Sequence, residues 1–257
     1  MNNGHYNEEN RYVVEHEVLS YEVDNHKVLS PVGFMDWAQE MAYQAAEALG
    51  FGYSRMDVDH YAWVLSRFHI SFPAPPSWRD KVEISTWHKG TRGPFFVRDF
   101  MVRDASGKRE VLGTSSWIVL NEQTRSMVRM SELPSVVPEG SDSKFVAIDP
   151  VAPKLMMPRG SEPSLVKEHV VEYQDLDFIG HTNNVRYVEW SLGCIDTDFL
   201  AEHPLRDLQI NFVHETHAGE KVGLWLLRQE AEGTQAVFFV EGRLPEGQVA
   251  FILRLEF

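Results

Sequence analysis

The sequence predicts an α+β chain built from two copies of one unit, each a long helix laid on a curved antiparallel sheet. Three observations lead there. Six of the 13 prolines crowd into residues 134–163, which divides the chain in two. Each part holds a one-faced helical repeat followed by about four alternating apolar stretches. The two parts also align with each other at fixed offsets, the mark of an internal duplication.

Taken in order, the first half opens on a strand-like stretch around a tyrosine at residues 12–23, then a short polar loop. The segment VGFMDWAQEMAYQAAEALG follows, with Phe34, Ala38, Met41, Ala45 and Ala48 at spacings of 4, 3, 4 and 3. In the second half a strand at residues 170–173 precedes NNVRYVEWSLGCIDTDFL. There Val185, Val188, Leu192, Ile195 and Phe199 recur at 3, 4, 3 and 4. Each period describes a helix with a single apolar face. Asp36-Trp37 matches Glu189-Trp190 at an offset of 153. Beyond the helices the offset is 140, setting HISFPAPPSWRDKVEI over QINFVHETHAGEKVGL without a gap. FFVRDFMVRD and QAVFFVEGRL read as hairpin strands broken at Ser106-Gly107 and Glu246-Gly247, and VLGTSSWIVL corresponds to the last strand, VAFILRLEF. The expected boundaries are residues 1–130, a linker at 131–165, and residues 166–257.

Composition narrows the class. With 43% hydrophobic and 24% charged residues the chain reads as globular, and no apolar run approaches the roughly 20 residues of a membrane span. The stretch MNNGHYNEENRYVV lacks a basic start and an apolar core, so no secretory signal is expected and a soluble, cytoplasmic protein is. One cysteine, Cys194, makes neither an internal disulfide nor a thiolate zinc site. A net charge of −14 argues against nucleic acid. That charge is uneven: residues 67–129 hold 11 Lys/Arg against 6 Asp/Glu, while the rest hold 13 against 32. The segment is either an alternation of charge on solvated strands or a docking surface for an acidic partner.

The chemistry concentrates before the second helix, in Asp175-Leu-Asp177-Phe-Ile-Gly-His181-Thr-Asn183-Asn184. Thr and Asn are strong N-caps, so the helix is expected to begin near Thr182–Asn184, with Asp177 and His181 beside its N-terminus. The first copy has Asp24-Asn-His-Lys-Val-Leu-Ser-Pro here, which keeps an acid but nothing matching His181. Glu215, in FVHETHAGEK, faces Pro75 in the alignment. A histidine and a glutamate confined to one copy point to function, where a helix cap in a solvated loop would be the plainer reading. His214 and His217 stand three apart in a strand-and-turn segment, so a helical zinc site is not expected, and neither metal nor cofactor is. Cys194 reads as a half-buried structural thiol within the helix.

The pattern D-x-D-x-x-G-H-x-N-N-x-x-Y ahead of the second of two helix-on-sheet units resembles the hotdog-fold thioesterases. Over about residues 10 to 257 the chain is similar to the double-hotdog acyl-acyl-carrier-protein thioesterases. WVLSRFHISF, WRDKVEISTW and GTSSWIVLNEQTRSMVR carry the resemblance in the first half, and DLDFIGHTNNVRYVEW with the Glu215 segment in the second. It implies a tandem double hotdog that hydrolyses acyl-carrier-protein thioesters. It places the catalytic acid and histidine on Asp177 and His181, the family's asparagine position on Ile179, and the downstream glutamate on Glu215. Asn183 and Asn184 match the following Asn pair and are expected to bind substrate. The position that often holds cysteine in the plant enzymes is Thr216, so no cysteine nucleophile is implied.

The resemblance further suggests that the first copy holds the acyl chain and docks the carrier protein, with Arg79, Lys81, Lys89 and Arg92 as the docking residues. In the expected mechanism Glu215 takes a proton from water, while N–H groups at the helix start, with His181 or Asn183, hold the oxyanion. Asp177 orients His181 or shares the base role. An acyl-CoA thioesterase and an acyl-thioester-binding module without turnover are the alternatives. A hotdog hydratase fits less well, for lack of its spacing and serine helix, and a homodimer is a possible assembly.

Overall fold

The computed structural model of the protein describes residues 4–129, 144–230 and 236–257. The part of the expected linker at 131–143 lies outside them. Two compact units divide the chain, Met1–Ala152 and Pro153–Phe257.

In the first unit, β1 (His5–Tyr6) and β2 (Tyr12–Glu17) lead to α1 (Pro31–Ala48) and α2 (Tyr53–Val58). Four long strands follow, β3 (Tyr61–Ala74), β4 (Lys81–Arg92), β5 (Phe95–Asp104) and β6 (Glu110–Asn121), then the short β7 (Ser126–Val128). All pairings are antiparallel, in the order β1-β2-β4-β5-β6-β3, with β7 on β6. Helix α1 starts where the sequence supplies a cap: the Ser30 side chain accepts the Gly33 N–H at 3.0 Å, and Pro31 occupies the first helical position. Phe34, Trp37, Ala38, Met41 and Ala45 are buried, and the Phe34 ring lies 6.2 Å from Phe68 of β3. Each large apolar side chain buried on that face contributes about 1.5–3 kcal/mol.

The second unit repeats the plan. Its β8 (Ser164–Val170), α3 (Asn184–Leu192), α4 (Thr197–Glu202), β9 (Asp207–Phe212), β10 (Lys221–Gln229), β11 (Val237–Arg243) and β12 (Val249–Glu256) form a sheet in the order β9-β12-β11-β10-β8. This is the order of the corresponding strands of the first unit. The predicted continuous helix through Phe199 is two helices. Gly193 caps α3, and the Asp196 side chain caps α4 by accepting the Phe199 N–H at 3.0 Å. A glycine followed by an Asp cap stops one helix and starts another inside an unbroken apolar period.

Residues 144–155, read as linker, are hydrogen-bonded into both units. The carbonyls of Phe145 and Ile148 accept from Trp87 Nε1 (2.9 Å) and Lys89 Nζ (2.6 Å), and the Ala147 N–H donates to Asp99 (2.8 Å). Asn211 receives the Leu155 N–H at 2.7 Å and donates to the Pro153 carbonyl.

The duplication extends to individual hydrogen bonds. In the first unit Glu22 is buried and accepts the Leu19 N–H (2.7 Å), His16 Nε2 lies 3.0 Å from its carboxylate, and Trp37 Nε1 donates to it at 2.9 Å. In the second, 153 residues on, buried Asp175 accepts the Glu172 N–H (2.8 Å), has His169 Nε2 at 2.8 Å and takes a bond from Trp190. Ser30 N donates to Glu22 O at 2.9 Å, as Asn183 N does to Asp175 O at 2.8 Å. One carboxylate in each copy therefore ties a strand, a turn and a helix start together.

Burial works against ionisation of Asp175, but the Glu172 N–H and His169 outweigh it and hold its carboxyl below the usual carboxylate range. A folded-state pKa below the unfolded value of about 3.9 gives stability that is present above about pH 4 and lost as the pH falls through the lowered value. Asp175→Ala is expected to lower the unfolding free energy by about 2–3 kcal/mol at neutral pH and to flatten the acid limb of the stability profile. Urea unfolding at pH 7 and pH 3 measures both; a variant equal to the wild type at pH 7 would remove this carboxylate from the framework.

Candidate active site

The loop before α3 is shaped by Asp177. Its Oδ1 accepts the N–H groups of Ile179 (3.0 Å) and His181 (3.1 Å), and its own N–H donates to the His181 carbonyl (2.8 Å). Gly180, at φ +85°, takes the left-handed corner this turn requires. The result is a hairpin-like turn that presents the His181 ring. Across from it the chain leaves β9 through Val213 and His214 and turns back into β10. The amide of Thr182 donates to the Thr216 carbonyl at 3.0 Å, which holds these two segments side by side.

That pairing brings Glu215 to His181. Carboxylate Oε2 lies 3.5 Å from His181 Nδ1, and both side chains are about one-third exposed, at 36% and 35%. His217 completes the group, with Nε2 3.9 Å from Glu215 Oε1 and its ring 5.1 Å from that of His181. The sequence marked His217 only as half of a rejected zinc motif. Its i, i+2 spacing from Glu215 in an extended segment was the signal, since alternate residues of such a segment point the same way. Among the described residues no group of three His, Cys, Asp or Glu side chains is arranged to hold a metal ion.

Three exposed apolar side chains flank these groups in the chain: Phe178 and Ile179 precede His181 and Val213 precedes Glu215, at 78%, 51% and 50% exposure. Ile179 contributes its N–H to Asp177 and presents its side chain outward.

The first copy supplies an internal control. Asp24 makes the same turn, its Oδ1 accepting the N–H groups of His26 (2.9 Å) and Val28 (3.3 Å) while its N–H donates to the Val28 carbonyl. Val28, Pro75 and Ser77 stand where the second copy has His181, Glu215 and His217. The hydrogen bonds of Asp177 therefore belong to a turn both copies need, and the imidazoles and Glu215 belong to one copy alone.

Other expected site residues are placed differently. Asn183 is the N-cap of α3, its Oδ1 accepting the Val185 N–H at 3.1 Å, so its side chain serves the helix first. Asn184 is the first residue of α3 and is half-buried. The amides of Asn183, Val185 and Arg186 already donate within the loop and cap, which leaves the expected oxyanion site at the helix start with few donors.

The four docking candidates do not form one patch. Lys89 is inside, its side chain 8% exposed, with Nζ 3.0 Å from buried Asp99 and bonded to the Ile148 carbonyl. It is a structural lysine, because strand alternation turns it toward the Asp99 side of β4 and β5. Lys81 and Arg92 are exposed but begin and end β4, which at about 3.3 Å per residue separates them by roughly 35 Å. Arg79, stacked 4.4 Å over Trp78, stays with Lys81. Lys108 and Arg109 of the β5–β6 turn are exposed at the same end, Arg109 Nε lying 3.8 Å from Asp80.

Cys194 sits just past α3, its Sγ bonded to the Trp190 carbonyl at 3.3 Å, and burial pushes its thiol up to about 11.

Two units with the same antiparallel strand order, each packed on a helix, make a double hotdog. The chain matches the acyl-ACP thioesterase N-terminal domain over residues 9–133 and the C-terminal domain over residues 160–250. It belongs to the acyl-ACP thioesterase family. Among its relatives are the oleoyl-acyl carrier protein thioesterases 1 and 2 of Arabidopsis thaliana, chloroplastic proteins 28% and 31% identical over 229 and 220 residues. Those alignments cover 80% and 77% of this chain but 60% and 58% of the relatives, so the chain spans about 60% of their length. Two solved structures share the fold. An acyl-ACP thioesterase from Bacteroides thetaiotaomicron superposes with a TM-score of 0.83 at 23% identity, covering 97% of this chain and 98% of that one. The 12:0-ACP thioesterase from Umbellularia californica gives 0.83 at 22%, covering 96% and 93%. Among the described residues no helix is long and apolar enough to cross a membrane.

A thiol held near pKa 11 is almost wholly protonated at pH 8, on the order of one thiolate per thousand molecules. Folded protein is therefore expected to react slowly with DTNB, about tenfold faster per pH unit up to that value, and Cys194→Ser should keep full activity. Rapid labelling at pH 7 would contradict this burial.

Proposed function

We propose that the chain hydrolyses acyl thioesters of an acyl carrier protein, releasing a free fatty acid and the carrier thiol. The observation that carries this is the His181–Glu215 pair at 3.5 Å, confined to the copy whose twin has Val28 and Pro75. Membership of the family supports the substrate class, and the apolar rim of Phe178, Ile179 and Val213 suits an acyl thioester.

The chemistry asks for little. A thiolate, conjugate base of an acid of pKa about 8–9, leaves without help from a metal. Glu215 accepts a proton from a water molecule whose oxygen attacks the thioester carbonyl, a role worth about 10²–10⁴-fold. His181 donates a hydrogen bond to the oxyanion, and its distance to Glu215 tightens as substrate excludes water. Collapse breaks the C–S bond, and the departing sulfur takes up the proton. Asp177 acts as a positioning residue, through the turn it caps.

The acidic carrier protein is proposed to dock at the Arg79, Lys81, Lys108 and Arg109 end of the first unit, whose interior receives the acyl chain. A cytoplasmic setting goes with the proposal, and sedimentation would read a homodimer directly.

Glu215→Gln is expected to lower kcat for acyl-ACP about 10²–10³-fold, whereas Asp177→Asn, whose amide oxygen can still accept both N–H groups, should stay within about tenfold of wild type. Thiol release in stopped-flow measures both; a Glu215→Gln enzyme at wild-type rate removes the base. The docking site is read by a KM split. Arg79→Ala with Lys81→Ala should raise KM several-fold for acyl-ACP and leave that for an acyl-CoA unchanged, with added salt mimicking the effect. Competition between the two thioesters decides the donor, and preference for acyl-CoA would overturn the carrier-protein assignment.

A further inference from the structure

Behind the His181–Glu215 pair lies a chain of three buried hydroxyls. Thr182 Oγ1 donates to the Thr216 carbonyl at 2.9 Å. Its oxygen lies 2.7 Å from Thr216 Oγ1, which in turn lies 2.9 Å from the Tyr187 hydroxyl. Tyr187 is also bonded to Thr182 and to the Thr216 backbone, so the three hydroxyls form one connected cluster tied to the Thr216 carbonyl. All three residues are within the interior, at 3%, 0% and 5% exposure.

The first copy shows that the fold does not require them. The twins of Thr182, Thr216 and Tyr187 are Leu29, Pro76 and Phe34, all buried and apolar. The backbone bond is kept, Leu29 N to Pro76 O at 2.8 Å against Thr182 N to Thr216 O at 3.0 Å. The ring position is kept too: Phe34 lies 6.3 Å from Phe72, and Tyr187 lies 5.8 Å from Phe212. Three polar groups replace three apolar ones only in the copy that carries the reactive pair. Two of the three are adjacent to it in the chain: Thr182 follows His181, and Thr216 separates Glu215 from His217. Because Thr216 points inward, the alternation of an extended chain sends Glu215 and His217 outward toward His181.

We propose that Thr182, Thr216 and Tyr187 are positioning residues that set the distance and angle between Glu215 and His181. They lie buried behind the pair and act through the backbone that carries it. The hydroxyl chain fixes the peptide after Thr216 with two hydrogen bonds on one carbonyl, from the Thr182 amide and hydroxyl. Backbone pairing alone holds the same segments in the first copy. The second copy needs a tighter register because a displacement of about 1 Å between reacting groups can cost about a hundredfold in rate. This inference rests on the hydrolase reading above for its kinetic consequence, but not for its geometric one.

The test uses Thr216→Val, Thr216→Ser and the pair Thr216→Val with Tyr187→Phe in the full chain. The double variant removes both partners of one bond and returns two of the three positions to apolar side chains, as in the first copy, so it guards against loss of folding from a stranded buried hydroxyl. The expected result is a fall in kcat of about 10–100-fold in both Val variants, KM within about twofold, an unchanged or raised melting temperature in the double variant, and recovery to within about threefold in Thr216→Ser. A folded double variant with wild-type kcat overturns the proposal. So does a loss of kcat that tracks a fall in melting temperature and is not recovered by serine. NMR titration of the His181 ring protons separates the two readings. A changed titration midpoint in the double variant supports the positioning role even if the wild type turned over no thioester. An unchanged midpoint refutes it.

Discussion

Each copy is pinned at one point, where a buried carboxylate takes hydrogen bonds from a strand histidine, a turn amide and a helix tryptophan. Glu22 does this in the first unit and Asp175 in the second. A buried carboxylate without partners costs several kcal/mol, so the elements that supply donors are held wherever the carboxylate is. Strand, turn and helix start cannot then drift independently. The loop between the turn and the helix has both ends fixed, and its conformation becomes a property of the fold. The site is built on that loop.

The framework also explains how two scaffolds of one plan differ in chemistry. Hydrogen bonds made by the backbone recur at an offset of 153 before the helices and 140 after them. The side chains that project from the fixed frame are the variables. Val28, Pro75 and Ser77 occupy in the first copy the positions of His181, Glu215 and His217 in the second. The 13-residue change of offset falls between the helix and the next long strand, where α1 runs 18 residues and α3 only 9. Shortening the helix there leaves both the pinned entrance and the sheet order intact.

Much of this was legible in the sequence. Helical and alternating periods gave the elements, and the match of Ile70 to Ile210 and Phe72 to Phe212 gave the duplication, because burial on a shared face constrains residue type. His181 and Glu215 stood out because their twins, Val28 and Pro75, were readable in the same chain. The failures have physical causes too. Lys89 and Arg92 look alike in a count of charges, but one faces a buried aspartate and the other solvent at a hairpin, a distinction that depends on what covers the sheet. The break at Gly193 is invisible to a period that continues through it. Asn183 reads equally as a cap or a ligand until the Val185 amide is seen bonded to it. That Asp177 also caps a turn shows only when Asp24 is seen making the same one.

The remaining question is why the reactive pair is left half open. At 3.5 Å and about one-third exposed, Glu215 and His181 are screened by water and interact weakly. The rim around them is apolar and exposed, which is costly for a free surface but favourable when covered. On the proposed reading, an acyl thioester supplies the apolar mass that covers the rim, and covering it lowers the local dielectric where charge develops on the carbonyl oxygen. On that reading the site is finished by its substrate, and the frame behind it keeps the two side chains in place until then. The loop can stay open because the carboxylate pin and the hydroxyl chain, both buried beneath it, already fix where His181 and Glu215 will meet.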